Sequence, residues 1–118
     1  MFGKNEEGKQ IVYVREAEII FDRLKQHLSQ KDFWNEVITF ISKDENLNKA
    51  HIKYLENRLF GKAQRTNRYI LENSSTPTKS SISESDIAEM EEFIENITLL
   101  TNTLGHKVFE EIRETKNF

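Results

Sequence analysis

Five polar residues, spread over the first two thirds of the chain, have side chains suited to one chemistry. Tyr13 ends a short β-type run, Arg23 and His27 follow one turn apart, Glu56 lies further on, and Asn73 opens a Ser/Thr-rich segment. A phenol, a guanidinium, an imidazole and a carboxylate are what metal-assisted hydrolysis of a phosphodiester requires. The carboxylate holds a hard cation such as Mg²⁺ through oxygen, the cation polarises the phosphoryl group, and arginine steadies the developing charge. Tyrosine or histidine can help to activate water. Taken singly, each residue has a plainer reading. Tyr13 is a half-buried strand ring, Arg23 an exposed i,i+4 partner, His27 a residue at a core edge, and Glu56 a partner for Lys53, Arg58 or a neighbouring helix.

Local patterns supply the elements that must position these groups. The opening MFGKNEEGKQ is polar and punctuated by glycine, which predicts a loop or hairpin arm. Ile11 to Val14 is β-branched and aromatic, a strand signal. From Glu16 the period changes: Ala17, Ile20, Phe21, Leu24 and Leu28 fall on one helical stripe, with Arg23 and His27 together at its margin. Phe33-Trp34 and Val37 to Ile41 suggest a second strand, and Lys43 to Asn46 a polar turn.

The next helix is expected from about Leu47 to Ala63. Ile52, Leu55 and Leu59 form its stripe, His51 and Tyr54 lie beside it, and Glu56 sits on the opposite flank. Residues 73–83 hold the only proline and read as a loop. Ser83 with Asp86 resembles a capping box, Asp replacing the usual Glu or Gln. Ile87, Met90, Ile94, Ile97 and Leu104 mark a third helix, which Gly105 ends. Val108-Phe109 is read as a last strand, and 110–118 as a tail.

These elements give a small α/β (α+β) domain: an antiparallel or mixed sheet of about three strands flanked by three main helices. A two-stranded ribbon alone is marginal, so a third strand must come from residues 1–9, residues 105–110 or another chain. The length suits a single domain, 1–118, burying roughly 65% of its unfolded surface.

Composition narrows the function classes. No window has the apolar length of a membrane span and no leader is recognisable, so no membrane partner and a cytoplasmic location are expected. The absence of cysteine excludes disulfides and thiolate metal sites. Net charge is −3, which argues against strong non-specific binding to nucleic acid, but the charge is unevenly distributed. Residues 49–83 carry 7 basic and 2 acidic groups, whereas residues 84–118 carry 3 and 9. The basic run Lys49, Lys53, Arg58, Lys62, Arg65 and Arg68 therefore has two readings. Either it tracks a phosphate backbone, or it docks on the acidic helix around Glu89, Glu91, Glu92 and Glu95. Phe33-Trp34 reads as packing rather than as a base-stacking platform.

The order and neighbours of the polar residues resemble the GIY-YIG endonuclease family, in a bacterial subgroup. "IVYVREAEIIFDRLKQH" looks like the family's second signature strand and the helix after it. Tyr13 matches the tyrosine of the YIG element, Arg23 the family arginine, and His27 the histidine one turn beyond. "LNKAHIKYLENRL" looks like the helix bearing the metal-binding glutamate, which puts that role on Glu56. "RYILENSSTPTKSSISESDIAEMEEFIENITLLTNTLG" is similar to the back part of the subgroup, and Asn73 matches its asparagine. The resemblance covers roughly residues 3–109. It implies catalytic roles for Tyr13, Arg23, His27 and Glu56, substrate contacts from Asn73, Lys49, Lys53 and Arg58, Mg²⁺ or Mn²⁺ at Glu56, and DNA as the substrate.

Two features depart from the family. Arg15 stands where YIG has glycine, and the GIY element is missing, so the chain reads as a member that begins late. Two functions follow as expectations: a divalent-metal-dependent DNA endonuclease, or a non-catalytic nucleic-acid- or protein-binding module. The second keeps the fold and dimerises through an incomplete sheet edge.

Overall fold

The computed structural model describes residues 1–15, 25, 34–41, 47–73, 77 and 80–110. The predicted first helix, with Arg23 and His27, the turn at 43–46, Phe33 and most of the tail lie outside the described residues.

The described residues form an α+β fold of four short strands and two long helices. The strands are β1 (Phe2–Lys4), β2 (Gln10–Val12), β3 (Trp34–Glu36) and β4 (Ile70–Leu71); the helices are α1 (Lys49–Thr66) and α2 (Glu84–Thr103). Sheet order is β3-β1-β2-β4. β1 pairs antiparallel with β2, Phe2 opposite Val12 and Lys4 opposite Gln10, and also antiparallel with β3. β4 runs parallel to β2, with Ile11 opposite Ile70 and Val12 opposite Leu71. Of the three sources considered for a further strand, residues 1–9 supply it.

The hairpin between β1 and β2 is built by Asn5. Its Oδ1 accepts the N–H groups of Glu7 and Lys9 at 3.0 and 2.9 Å, and Gly8 takes φ +78°, which the missing Cβ permits.

Three strand expectations need correction. Among the described residues the sheet has four strands, where about three are expected. Of the described part of the second predicted strand, only 34–36 is paired. Ile38 and Phe40 do turn inward while Val37 and Ile41 stay exposed, so the two-residue period is real, but the segment has no ladder partner among the described residues. Val108 and Phe109 are buried without forming a strand: they occupy a turn closed by Glu110 N–H on the Lys107 carbonyl at 3.1 Å. The β-branched and aromatic residues that give both segments a strand signal suit a buried turn or extended segment equally well.

Each helix is fixed at its ends. At α1, Asn48 is the N-cap, its side chain accepting from His51 N–H at 2.8 Å, while His51 Nδ1 accepts the Asn48 N–H at 3.3 Å. Histidine thus fills the reciprocal place of Glu or Gln in a capping box. At α2, Ser83 Oγ accepts the Asp86 N–H at 3.2 Å, and Gly105 beyond the last turn has φ +95°.

Two apolar clusters form the core. Tyr54 and Leu55 of α1 meet Met90 and Ile94 of α2. Phe2, Val12, Ala63, Tyr69, Ile97, Val108 and Phe109 join the helices to one sheet face. The buried side of α1 is His51, Tyr54, Leu55, Phe60 and Ala63, a face rotated from the predicted stripe because Ile52 and Leu59 are only partly buried.

Candidate functional site

Tyr13 lies one residue past β2. Its N–H donates to the Met1 carbonyl at 2.9 Å, which carries the β1–β2 pairing past the ends of the strands. Val12 and Val14, on either side of it, belong to the core shared with Ala63. Side chains alternate across a strand, so Tyr13 faces the other way. Its ring lies 6.2 Å from that of Trp34.

Asn73 is held beside Tyr13 by hydrogen bonds. Its Nδ2 donates to the Val14 carbonyl at 2.6 Å, and its Oδ1 accepts the Val14 N–H at 3.1 Å. The Glu72 N–H donates to the Val12 carbonyl at 2.8 Å just before it. The side-chain amide therefore acts as one more peptide unit in the parallel β2–β4 ladder. It fixes the backbone between Tyr13 and Arg15, and Arg15 itself is exposed.

Glu56 is half-buried near the middle of α1, four residues before Phe60 and seven before Ala63. Lys49 and Lys53, earlier on the same helix, are exposed. Among the described residues no group of three or more His, Asp or Glu could hold a metal ion. Mg²⁺ commonly takes one or two carboxylates and keeps water or substrate phosphate in its other positions, so a single glutamate fits that ion better than it fits zinc.

Arg58 is engaged elsewhere. Its Nε and Nη2 donate to Glu91 Oε1 and Oε2 at 2.7 and 3.2 Å, and the Tyr54 hydroxyl donates to Oε1 at 2.6 Å. Tyr54 and Arg58, one turn apart on α1, thus clasp one carboxylate of α2. Hydrogen bonds from Arg58, and then from Tyr54, hold the Glu91 carboxyl below its usual range. Burial and the hydrogen bond to Glu91 push the Tyr54 phenol up, so it stays neutral. Lys62 reaches Thr98 of α2 at 3.5 Å. For Arg58 and Lys62 the geometry follows the second reading of the basic run, docking on the acidic helix.

A second polar cluster had no counterpart among the predicted site residues. The Tyr69 hydroxyl meets His106 Nδ1 at 2.8 Å, and His106 Nε2 meets Glu36 Oε2 at 2.8 Å. The imidazole also stacks on Phe2, with ring centres 3.9 Å apart and planes at 16°. His106 follows the Gly105 helix stop, and its partners are 37 and 70 residues away, so local spacing carries no signal for the group.

Comparison with protein-family models, with curated proteins and with solved structures gave no match. No helix among the described residues is long and apolar enough to cross a membrane.

Proposed function

We propose that the chain is a GIY-YIG-like nuclease domain that hydrolyses DNA phosphodiester bonds with Mg²⁺ or Mn²⁺. One observation carries this reading. Tyr13 and Asn73, which the resemblance assigns to one site, are adjacent through Val14, although Asn73 lies 59 residues beyond Val14 in sequence.

In this reading Glu56 holds the ion, which when bound supplies positive charge to the phosphoryl oxygens. Tyr13 orients the attacking water and takes its proton on the phenolic oxygen as the phenol passes its own proton to solvent. Water adds at phosphorus, the bond to the leaving oxygen breaks, and that oxygen takes a proton from solvent. Arg23 steadies the charge gathered on the phosphoryl oxygens, and His27 assists. Asn73 acts by fixing the peptide next to Tyr13, so it is a positioning residue, whose side chain is already taken up by Val14. Lys49 and Lys53 offer exposed cations to the DNA backbone.

A second reading, a non-catalytic binding module, draws on Arg58 and Lys62. Arg58 is paired with Glu91 and so offers less charge to a phosphate, and Lys62 is turned toward the Thr98 hydroxyl of α2. Nicking of supercoiled plasmid separates the readings. The nuclease reading predicts nicking in Mg²⁺ or Mn²⁺ that a chelator stops. Salt-sensitive DNA binding without any nicking by folded protein would favour the binding module.

A further inference from the structure

The Glu36–His106–Tyr69 chain borders a cavity of about 140 Å³ at one end of the sheet, also lined by Phe2, Lys4 and Gln10. The cavity is large enough for several waters or one small polyatomic ion. Its walls come from both strands of the hairpin, from edge strand β3, and from the residues before β4 and after α2, so it is assembled by the fold rather than by one loop.

The direction of the hydrogen bonds along this chain depends on the imidazole. Neutral imidazole has one donor and one acceptor. With Nε2–H directed at Glu36, Nδ1 must accept, and the Tyr69 hydroxyl spends its proton on His106. Protonated imidazole donates at both nitrogens. Nδ1–H then donates to the Tyr69 oxygen, and the phenolic proton is released toward the cavity. Both 2.8 Å contacts survive in either state, so the change reverses a donor without moving an element.

Charge works in the same direction. Among the described residues, the groups facing His106 are Glu36 from β3, Tyr69 from the segment before β4 and Phe2 from β1, and Lys4 lines the same cavity. On its own turn, Lys107 and Glu110 pair with each other at 3.8 Å. Burial and the Glu36 charge push the Tyr69 phenol up, so it remains a donor rather than a phenolate. With neutral His106 the Lys4 and Glu36 charges offset each other. With protonated His106 the cavity wall is net positive and has gained an O–H donor.

We infer that this cavity is a binding site for a small oxyanion, opened by protonation of His106 and completed by the Tyr69 hydroxyl and Lys4. The inference rests on no part of the nuclease reading, because none of its residues belongs to that site.

Sulfate is the appropriate probe, since it stays doubly charged across the range in which histidine titrates. Binding is followed by the backbone amide resonances of Gly3, Tyr69 and His106, which report this cavity and not the lysines of α1. The affinity should be at least roughly tenfold higher at about pH 5.5 than at about pH 8.5. Tyr69→Phe, which keeps the ring against Phe2, should lose most of the gain at low pH, and His106→Gln should remove the pH dependence. Equal affinity at the two pH values in the wild-type protein would overturn the inference, as would unaltered low-pH binding by Tyr69→Phe. Should either core variant fail to fold, Lys4→Ala at an exposed position serves instead: weakened binding supports the site, and unchanged binding overturns it.

Discussion

The Asn73 side chain grips the Val14 peptide at both ends, donating to its carbonyl at 2.6 Å and accepting its N–H at 3.1 Å. A loop residue thereby completes a strand edge and fixes the backbone that follows Tyr13. Asn73→Ala leaves two backbone groups of a half-buried peptide without these partners, so it should cost about 1–3 kcal/mol. Urea unfolding should show a lower midpoint with an unchanged slope.

The clasp on Glu91 gives stability a specific pH dependence. Its folded carboxyl titrates below the ordinary value of 4.5. A depressed carboxyl contributes stability that is fully present above the unfolded value and lost as pH falls through the folded value. Stability should therefore fall below about pH 4.5, and Glu91→Gln should flatten that fall. Because the carboxylate is 37% exposed, solvent screening keeps the pH-dependent part below about 1 kcal/mol. Unfolding midpoints of the two proteins between about pH 6 and pH 3 check this.

At the start of α1, His51 can accept the Asn48 N–H only through an unprotonated Nδ1. Its Nε2 lies 3.2 Å from Asp86 Oδ2, so the same ring ties the N-terminal turns of both helices. Asn48→Ala removes the cap and should cost about 1 kcal/mol, whereas Asn48→Ser or Asn48→Asp should be nearly neutral. Thermal unfolding of the three variants measures the difference.

Gly105 has φ +95°, and a Cβ placed there meets nothing within 4 Å. The cost of Gly105→Ala is therefore one of backbone conformation alone, about 1–2 kcal/mol. The substitution should also disturb His106, the next residue, and shift its ring resonances in NMR spectra.

How much of this was legible depends on the range of the interactions. Both described helices could be read from the sequence because their signals are local: apolar residues at helical spacing, Ser83 as a cap, Gly105 as a stop. α1 started and ended within a few residues of expectation, but its buried face was misjudged. His51 and Tyr54 are buried against α2, where His51 Nε2 lies 3.2 Å from Asp86 Oδ2 and the Tyr54 hydroxyl donates to Glu91, and both partners lie on another helix. The strands were harder. β4 is two residues long and pairs with β2, while Val37 to Ile41 alternates like a strand yet finds no ladder partner among the described residues. In the candidate site, side-chain types and order suggested the chemistry, but the Asn73–Val14 grip and the Tyr69–His106–Glu36 chain join distant positions and could not be seen before folding.

Glu56, Arg23 and Tyr13 are the residues proposed to carry metal-dependent phosphodiester hydrolysis. Their role is tested most directly by single-turnover nicking of supercoiled plasmid in Mn²⁺ by the wild-type, Glu56→Ala, Arg23→Ala and Tyr13→Phe proteins, each shown to be folded. The wild-type protein should nick, and each variant should lose about 100-fold or more, the scale expected when one charge-stabilising or proton-transfer group is removed. Nicking at the wild-type rate by Glu56→Ala and Arg23→Ala, or none by the wild-type protein, would contradict that role.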